Sequence, residues 1–98
     1  MVLVFEASAL DARERAEIDR RLARLDVSAV RGPWTRWLLA ELGQRPGTAA
    51  RELAGEQGRP VARLKSDVWK LRELGLVEGG AGGYRLSVKG RAYLDGRD

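Results

Sequence analysis

The sequence predicts a mainly helical fold with one small β-hairpin near its C-terminal end. Three observations predict it. Apolar residues recur at helical spacing in separate stretches, most clearly at Val61, Leu64, Val68 and Leu71. Turn-forming residues punctuate those stretches at Gly32-Pro33, Gln44-Arg45-Pro46-Gly47 and Gly58-Arg59-Pro60. Two β-type runs, Leu76-Val77-Glu78 and Tyr84-Arg85-Leu86-Ser87, flank Gly79-Gly80-Ala81-Gly82-Gly83, as in a hairpin around a glycine tip.

Taken in order, Val2–Phe5 is β-prone and short, an N-terminal strand or arm. Ser8 opens Ser-Ala-Leu-Asp, close to a capping box with Asp in the Glu position, and predicts a helix from about Ala9 to Asp26. Ile18, Leu22 and Leu25 share one face of it, while Asp11/Arg15, Arg13/Glu17 and Glu17/Arg21 pair four residues apart on the others. So narrow an apolar stripe needs a partner surface, either the chain's own domain or a second copy. Pro33 suits the first turn of a second helix, in which Trp34, Trp37, Leu38 and Leu42 form the apolar stripe and Gly43 the end. Thr48 is placed to cap a short third helix reaching Gln57 and burying Leu53 and Ala54. The fourth helix, 61–74, closes at Gly75, and one or two helical turns over Lys89–Leu94 follow the hairpin. Residues 1–30 thus form an N-terminal arm and helix, and 31–95 the main domain. A chain of 98 residues accommodates one hydrophobic core.

Composition narrows the function. The chain has neither Cys nor His, which removes disulfides, zinc-thiolate sites, the commonest general base and the commonest metal ligand. No nucleophile–base pair stands at a recognisable spacing, so a binding protein without metal or cofactor is expected rather than an enzyme. No apolar run reaches the length of a membrane span, and no basic residue precedes Val2–Phe5 as in a signal peptide, so a cytoplasmic protein is expected. The net charge of +4 is unevenly placed: residues 1–30 sum to −1 and residues 59–91 to +5. A basic C-terminal stretch suits a polyanion, nucleic acid first, and is equally compatible with a solvated surface.

The fourth helix decides between these. With Val61, Leu64, Val68 and Leu71 turned inward, Arg59, Ala62, Arg63, Ser66, Lys70 and Glu73 face outward, with Trp69 on the flank. Small residues at 62 and 66 permit close approach to a groove. Arg63 and Ser66 are the candidates for base edges, Arg59 and Lys70 for phosphates. Asp67, nearer the core edge, is placed to pair with Arg63 or Lys70. Glu73 repels phosphate, so the C-terminal end of the helix points away from a duplex. Lys65 and Arg72 flank the core face. The glycine tip carries no cation, which leaves Arg85, Lys89 and Arg91 as further phosphate candidates. Trp34 and Trp37 read as core; Trp69 is open to a packing or a partner role.

The run Leu53-Ala54, Leu64, Val68-Trp69-Lys70-Leu71-Arg72-Glu73-Leu74-Gly75-Leu76-Val77 and Tyr84-Arg85-Leu86-Ser87-Val88-Lys89-Gly90-Arg91 resembles the winged helix-turn-helix regulators of the ArsR-, MarR- and PadR-like groups. The shared features are the Leu74-Gly75-Leu76-Val77 ending of the fourth helix and the Lys-Gly after the second strand, over roughly residues 30–95. The resemblance implies double-stranded DNA as partner, helix 61–74 in the major groove, the 76–87 hairpin as wing, and a homodimeric, nucleoid-associated transcriptional regulator. Such proteins bind as symmetric pairs, and Ile18, Leu22 and Leu25 are the candidate dimer contacts. The alternative is a winged domain that contacts protein within a larger complex; RNA is a third possible partner.

Overall fold

A computed structural model describes residues 10–30, 32–80 and 82–96, and these form five helices and one two-stranded antiparallel sheet. The fold is mainly α with a small β-hairpin. Val2–Phe5 and Ser8 lie outside the described residues.

Helix α1 (Ala12–Val27) begins three residues after the expected start. The Asp expected to complete a cap at Ser8 is itself the cap. The Asp11 carboxylate accepts the Glu14 N–H at 2.7 Å, and the Glu14 carboxylate accepts the Asp11 N–H at 3.3 Å. That reciprocal box satisfies two otherwise orphaned donors. Helix α2 (Thr35–Gln44) starts after Pro33 rather than at it. Its cap arrives from α1: Asp26 accepts the N–H groups of Trp34 and Thr35 at 2.8 and 3.0 Å and the Thr35 hydroxyl at 2.7 Å. One carboxylate thereby fixes the angle at which α1 meets α2.

Helix α3 (Ala50–Gln57) is preceded by Ala49, not by Thr48, at its cap. Thr48 pairs instead with Tyr84 in an isolated antiparallel bridge, and its hydroxyl donates to the Arg45 carbonyl. Arg45 locks α2 to α3 by reaching Glu41 at 2.7 Å and Glu56 at 2.6 Å. Helix α4 (Val61–Glu73) packs on α3 and ends at Leu74, with Gly75 following at φ +79°.

Strands β1 (Val77–Gly80) and β2 (Gly83–Leu86) pair in the register Val77↔Leu86, Glu78↔Arg85, Gly79↔Tyr84 and Gly80↔Gly83. The segment 47–48 adds a short third edge: the Gly47 N–H donates to the Tyr84 carbonyl at 2.7 Å, and the Tyr84 N–H to the Thr48 carbonyl at 3.0 Å. Gly83 permits that approach, since a Cβ there would stand 2.2 Å from the Gly47 oxygen. Helix α5 (Val88–Asp95) is capped by Ser87, whose hydroxyl accepts the Gly90 N–H at 2.9 Å.

The core joins Leu38, Leu39 and Leu42 of α2 to Leu53 of α3, to Leu64, Val68 and Leu71 of α4, and to Leu76. Each is fully buried, and burying such a side chain is worth about 1.5–3 kcal/mol. Val61 is the exception to the expected stripe. It opens α4 beyond the end of the core and stays 37% exposed.

The expectation for Ile18 and Leu22 is corrected here. They are 5% and 6% exposed and belong to the chain's own core, with Leu25 partly buried against it. The stripe they form is already covered by the domain, so these side chains are not free to meet a second copy. Arg15 secures the same docking. Its guanidinium donates to the Tyr93 and Ala92 carbonyls at 2.9 and 3.1 Å and lies 5.0 Å from the Tyr93 ring centre. Those carbonyls belong to the last turn of α5, where a cation complements the helix dipole. The Tyr93 hydroxyl donates to Asp19, and burial, reinforced by that bond, pushes its pKa up to about 12. Among the described residues no helix is long and apolar enough to cross a membrane.

Candidate nucleic-acid interface

Helix α4 presents Arg63, Ser66 and Lys70 to solvent at spacings of three and four, which places them on one stripe opposite the buried Leu64, Val68 and Leu71. Among the described residues no ion pair engages Arg63. Ala62 is exposed beside it, so the N-terminal half of the stripe is unobstructed by large neighbours on its own helix.

Arg59 stands elsewhere than expected. Its side chain and that of Asp67 are each only 9% exposed, and its guanidinium binds the Asp67 carboxylate. The other Asp67 oxygen lies 3.6 Å from the Lys70 Nζ. The residue that pairs with Asp67 is therefore Arg59, with Lys70 at longer range, and not Arg63. Burying an acid on the flank of α4 demands a cation, and the chain before Pro60 folds back to supply it. Eight residues separate the pair, so no helical periodicity flags it. Arg59 neutralises Asp67 within the fold instead of projecting toward a ligand, which leaves Arg63 and Lys70 as the cations of the stripe.

The stripe borders a groove of about 400 Å³ whose far wall is the α1–α2 connection, including Ala29, Val30 and Pro33. A second groove of about 440 Å³ continues past Lys70 between α1 and α4. Arg20, Arg21 and Arg24 line its α1 side, and Trp69 and Glu73 its α4 side. Trp69 is 56% exposed, whereas Trp34 is buried and Trp37 partly so. Glu17 binds both Arg21, at 2.9 Å, and Arg20. Those two hydrogen bonds, Arg21 first, hold its carboxyl below the usual carboxylate range.

The remaining candidates do not converge on this stripe. Arg85 faces Glu78 across the hairpin at 3.5 Å, both side chains exposed. Lys89 lies over Gly75, its Nζ within 3.8 Å of where a Cβ there would stand. It therefore sits at the C-terminal end of α4, twelve residues and roughly 18 Å of helix from Arg63. Arg91 lies against Gly43 of α2. The Arg20–Arg21–Arg24 edge is hidden in the sequence, where the charges of residues 1–30 sum to −1. Summed by face, Arg20 and Arg24 stand four apart and add.

Among the described residues no group of three or more His, Cys, Asp or Glu side chains converges on a point that could hold a metal ion. The geometry defines a small helical domain with one cationic helix face bordered by a second helix. No family model, no curated protein and no solved structure matches the chain.

Proposed function

We propose that the protein is a winged helix-turn-helix DNA-binding protein, a transcriptional regulator of the cytoplasm and nucleoid, and not an enzyme. In this reading α3 and α4 are the helix-turn-helix, α4 enters the major groove with its N-terminal half leading, and the β1–β2 hairpin is the wing. The observation that carries it is the exposed Arg63–Ser66–Lys70 stripe, whose long cations have no competing acid at their N-terminal end. Arg63 suits guanine O6/N7, Ser66 a base edge or phosphate, and Lys70 a phosphate. Arg85 is shared with Glu78 and contributes less; Lys89 and Arg91 stand away from the stripe. Pairing of two copies on a palindrome belongs to the reading, through a surface other than Ile18 and Leu22.

Selection of bound sequences from random duplexes, followed by salt titration of the winner, tests it. An enriched palindrome and an affinity falling steeply with salt are expected. Arg63→Ala should cost about 1–3 kcal/mol on the selected site and relax its preference at one position. No enrichment and no salt dependence would sink the reading.

A second reading rests on Trp69. A tryptophan 56% exposed beside a groove is the kind of anchor a protein partner covers. Association through it would be insensitive to salt and abolished by Trp69→Ala.

A further inference from the structure

We propose that α1 is the second half of the DNA interface: Arg24 and Lys70 grip one phosphate strand between them, and Arg20 and Arg21 continue the row. This rests on the reading of α4 as the groove-entering helix. A helix with its side chains is about 10–12 Å across, and the major groove of B-DNA is about 12 Å wide. A helix seated in it fills it, so the two phosphate strands must pass on either flank of that helix. On one flank of α4 the space is already shaped. It is the groove between α1 and α4, which shares Lys70 with the Arg63 stripe and continues it. A strand laid there runs along α1 and meets Arg24, then Arg20 and Arg21.

The charges of that groove fit a phosphate strand. Arg20, Arg21, Arg24 and Lys70 outnumber Glu17 and Glu73. Glu73, which repels phosphate, lies about one turn beyond Lys70 toward the C-terminal end of α4, so the strand enters at the Lys70–Arg24 end. Glu17 is already saturated by Arg20 and Arg21, and among the described residues Arg24 joins no ion pair. Lys70 is held only loosely, 3.6 Å from an Asp67 whose other oxygen serves Arg59. Of the four cations that line the groove, the two least committed to ion pairs are thus Arg24 and Lys70, one on each wall.

The test is duplex affinity against salt, by fluorescence anisotropy on a mixed-sequence duplex, for the wild type and five variants. Arg24→Ala should reduce the slope of log K on log salt by about 0.9, the loss of one phosphate contact, and weaken low-salt binding several-fold. Arg24→Lys keeps the charge and should keep the slope. Arg13→Ala, on the same helix but outside the groove, should change nothing. Glu17→Gln frees two guanidiniums and should tighten binding several-fold. If Arg24→Ala loses its thermal transition, Glu17→Gln alone decides. A wild-type slope in Arg24→Ala and a wild-type affinity in Glu17→Gln, with Arg63→Ala still weakening binding, would overturn the role of α1 and leave that of α4 standing. A wild type that shows no salt-dependent duplex binding would overturn both.

Discussion

Two glycines in helices should respond to the same substitution with opposite signs. A Cβ at Gly55 in α3 meets nothing within 4 Å. Gly55→Ala therefore keeps only the gain in helix propensity and the lower entropy of the unfolded chain, about 0.5–1 kcal/mol of added stability. A Cβ at Gly90 in α5 would stand 2.0 Å from the Leu76 carbonyl oxygen, and backbone rather than a pliable side chain occupies the space. That is about 1.4 Å short of ordinary contact, an overlap that only separation of α5 from the start of β1 relieves. The same Leu76 oxygen accepts the Ser87 N–H at 3.0 Å, so the separation also strains a hydrogen bond at the hairpin's base. Overpacking costs about 1–3 kcal/mol and a weakened hydrogen bond about 1, against a propensity gain of about 1. Gly90→Ala should end about 2 kcal/mol less stable, a midpoint lower by roughly 8–16 °C in a domain of this size. Urea and thermal unfolding of both variants beside the wild type measure the difference. A Gly90→Ala protein as stable as the wild type or more so would refute the reasoning, because the overlap with the Leu76 carbonyl would then cost no more than the propensity gain returns.

Other outcomes follow from the same packing. Asp67→Ala strands the Arg59 guanidinium in a site where its side chain is 9% exposed, and should cost about 3 kcal/mol in urea unfolding. The double variant Arg59→Met, Asp67→Leu should recover most of it, since an apolar pair needs no partner. Raised from 10.0 to about 12, the Tyr93 pKa makes stability level below pH 10 and falling from pH 10 to pH 12, where the unfolded chain has lost the proton that the folded one keeps. Tyr93→Phe should flatten that fall in alkaline denaturation curves. Lys89→Ala should lower stability by about 0.3–1 kcal/mol through the lost cation at the end of α4, and leave the salt slope of duplex binding unchanged.

The helices and the hairpin were legible because their causes are local. The spacing of Leu64, Val68 and Leu71 and the glycines between two β-type runs depend on neighbours within a few positions. What sequence reading misplaced depends on contacts between distant residues. Thr48 is a competent cap, yet the approach of Tyr84 draws it into a bridge and hands the helix start to Ala49. Asp26 ends one helix by position and begins the next by chemistry, reaching eight and nine residues ahead. On the candidate face, periodicity placed Arg63, Ser66 and Lys70 on an exposed stripe, because a helix face follows from spacing alone. It could not place Arg59, which precedes the helix and whose destination depends on where the chain before Pro60 turns. Nor could it show that α1 borders the stripe, since its own apolar residues point equally well at the domain or at a twin.

The clasp of Arg15 on the Ala92 and Tyr93 carbonyls bears on synthesis. It joins positions 77 and 78 residues apart. As the ribosome extends the chain, α1 is made before α5, and its Arg15 guanidinium is unanswered until α5 emerges. Closure of the domain thus waits for α5, and a product truncated before it would leave the Arg15 clasp on α1 unmade.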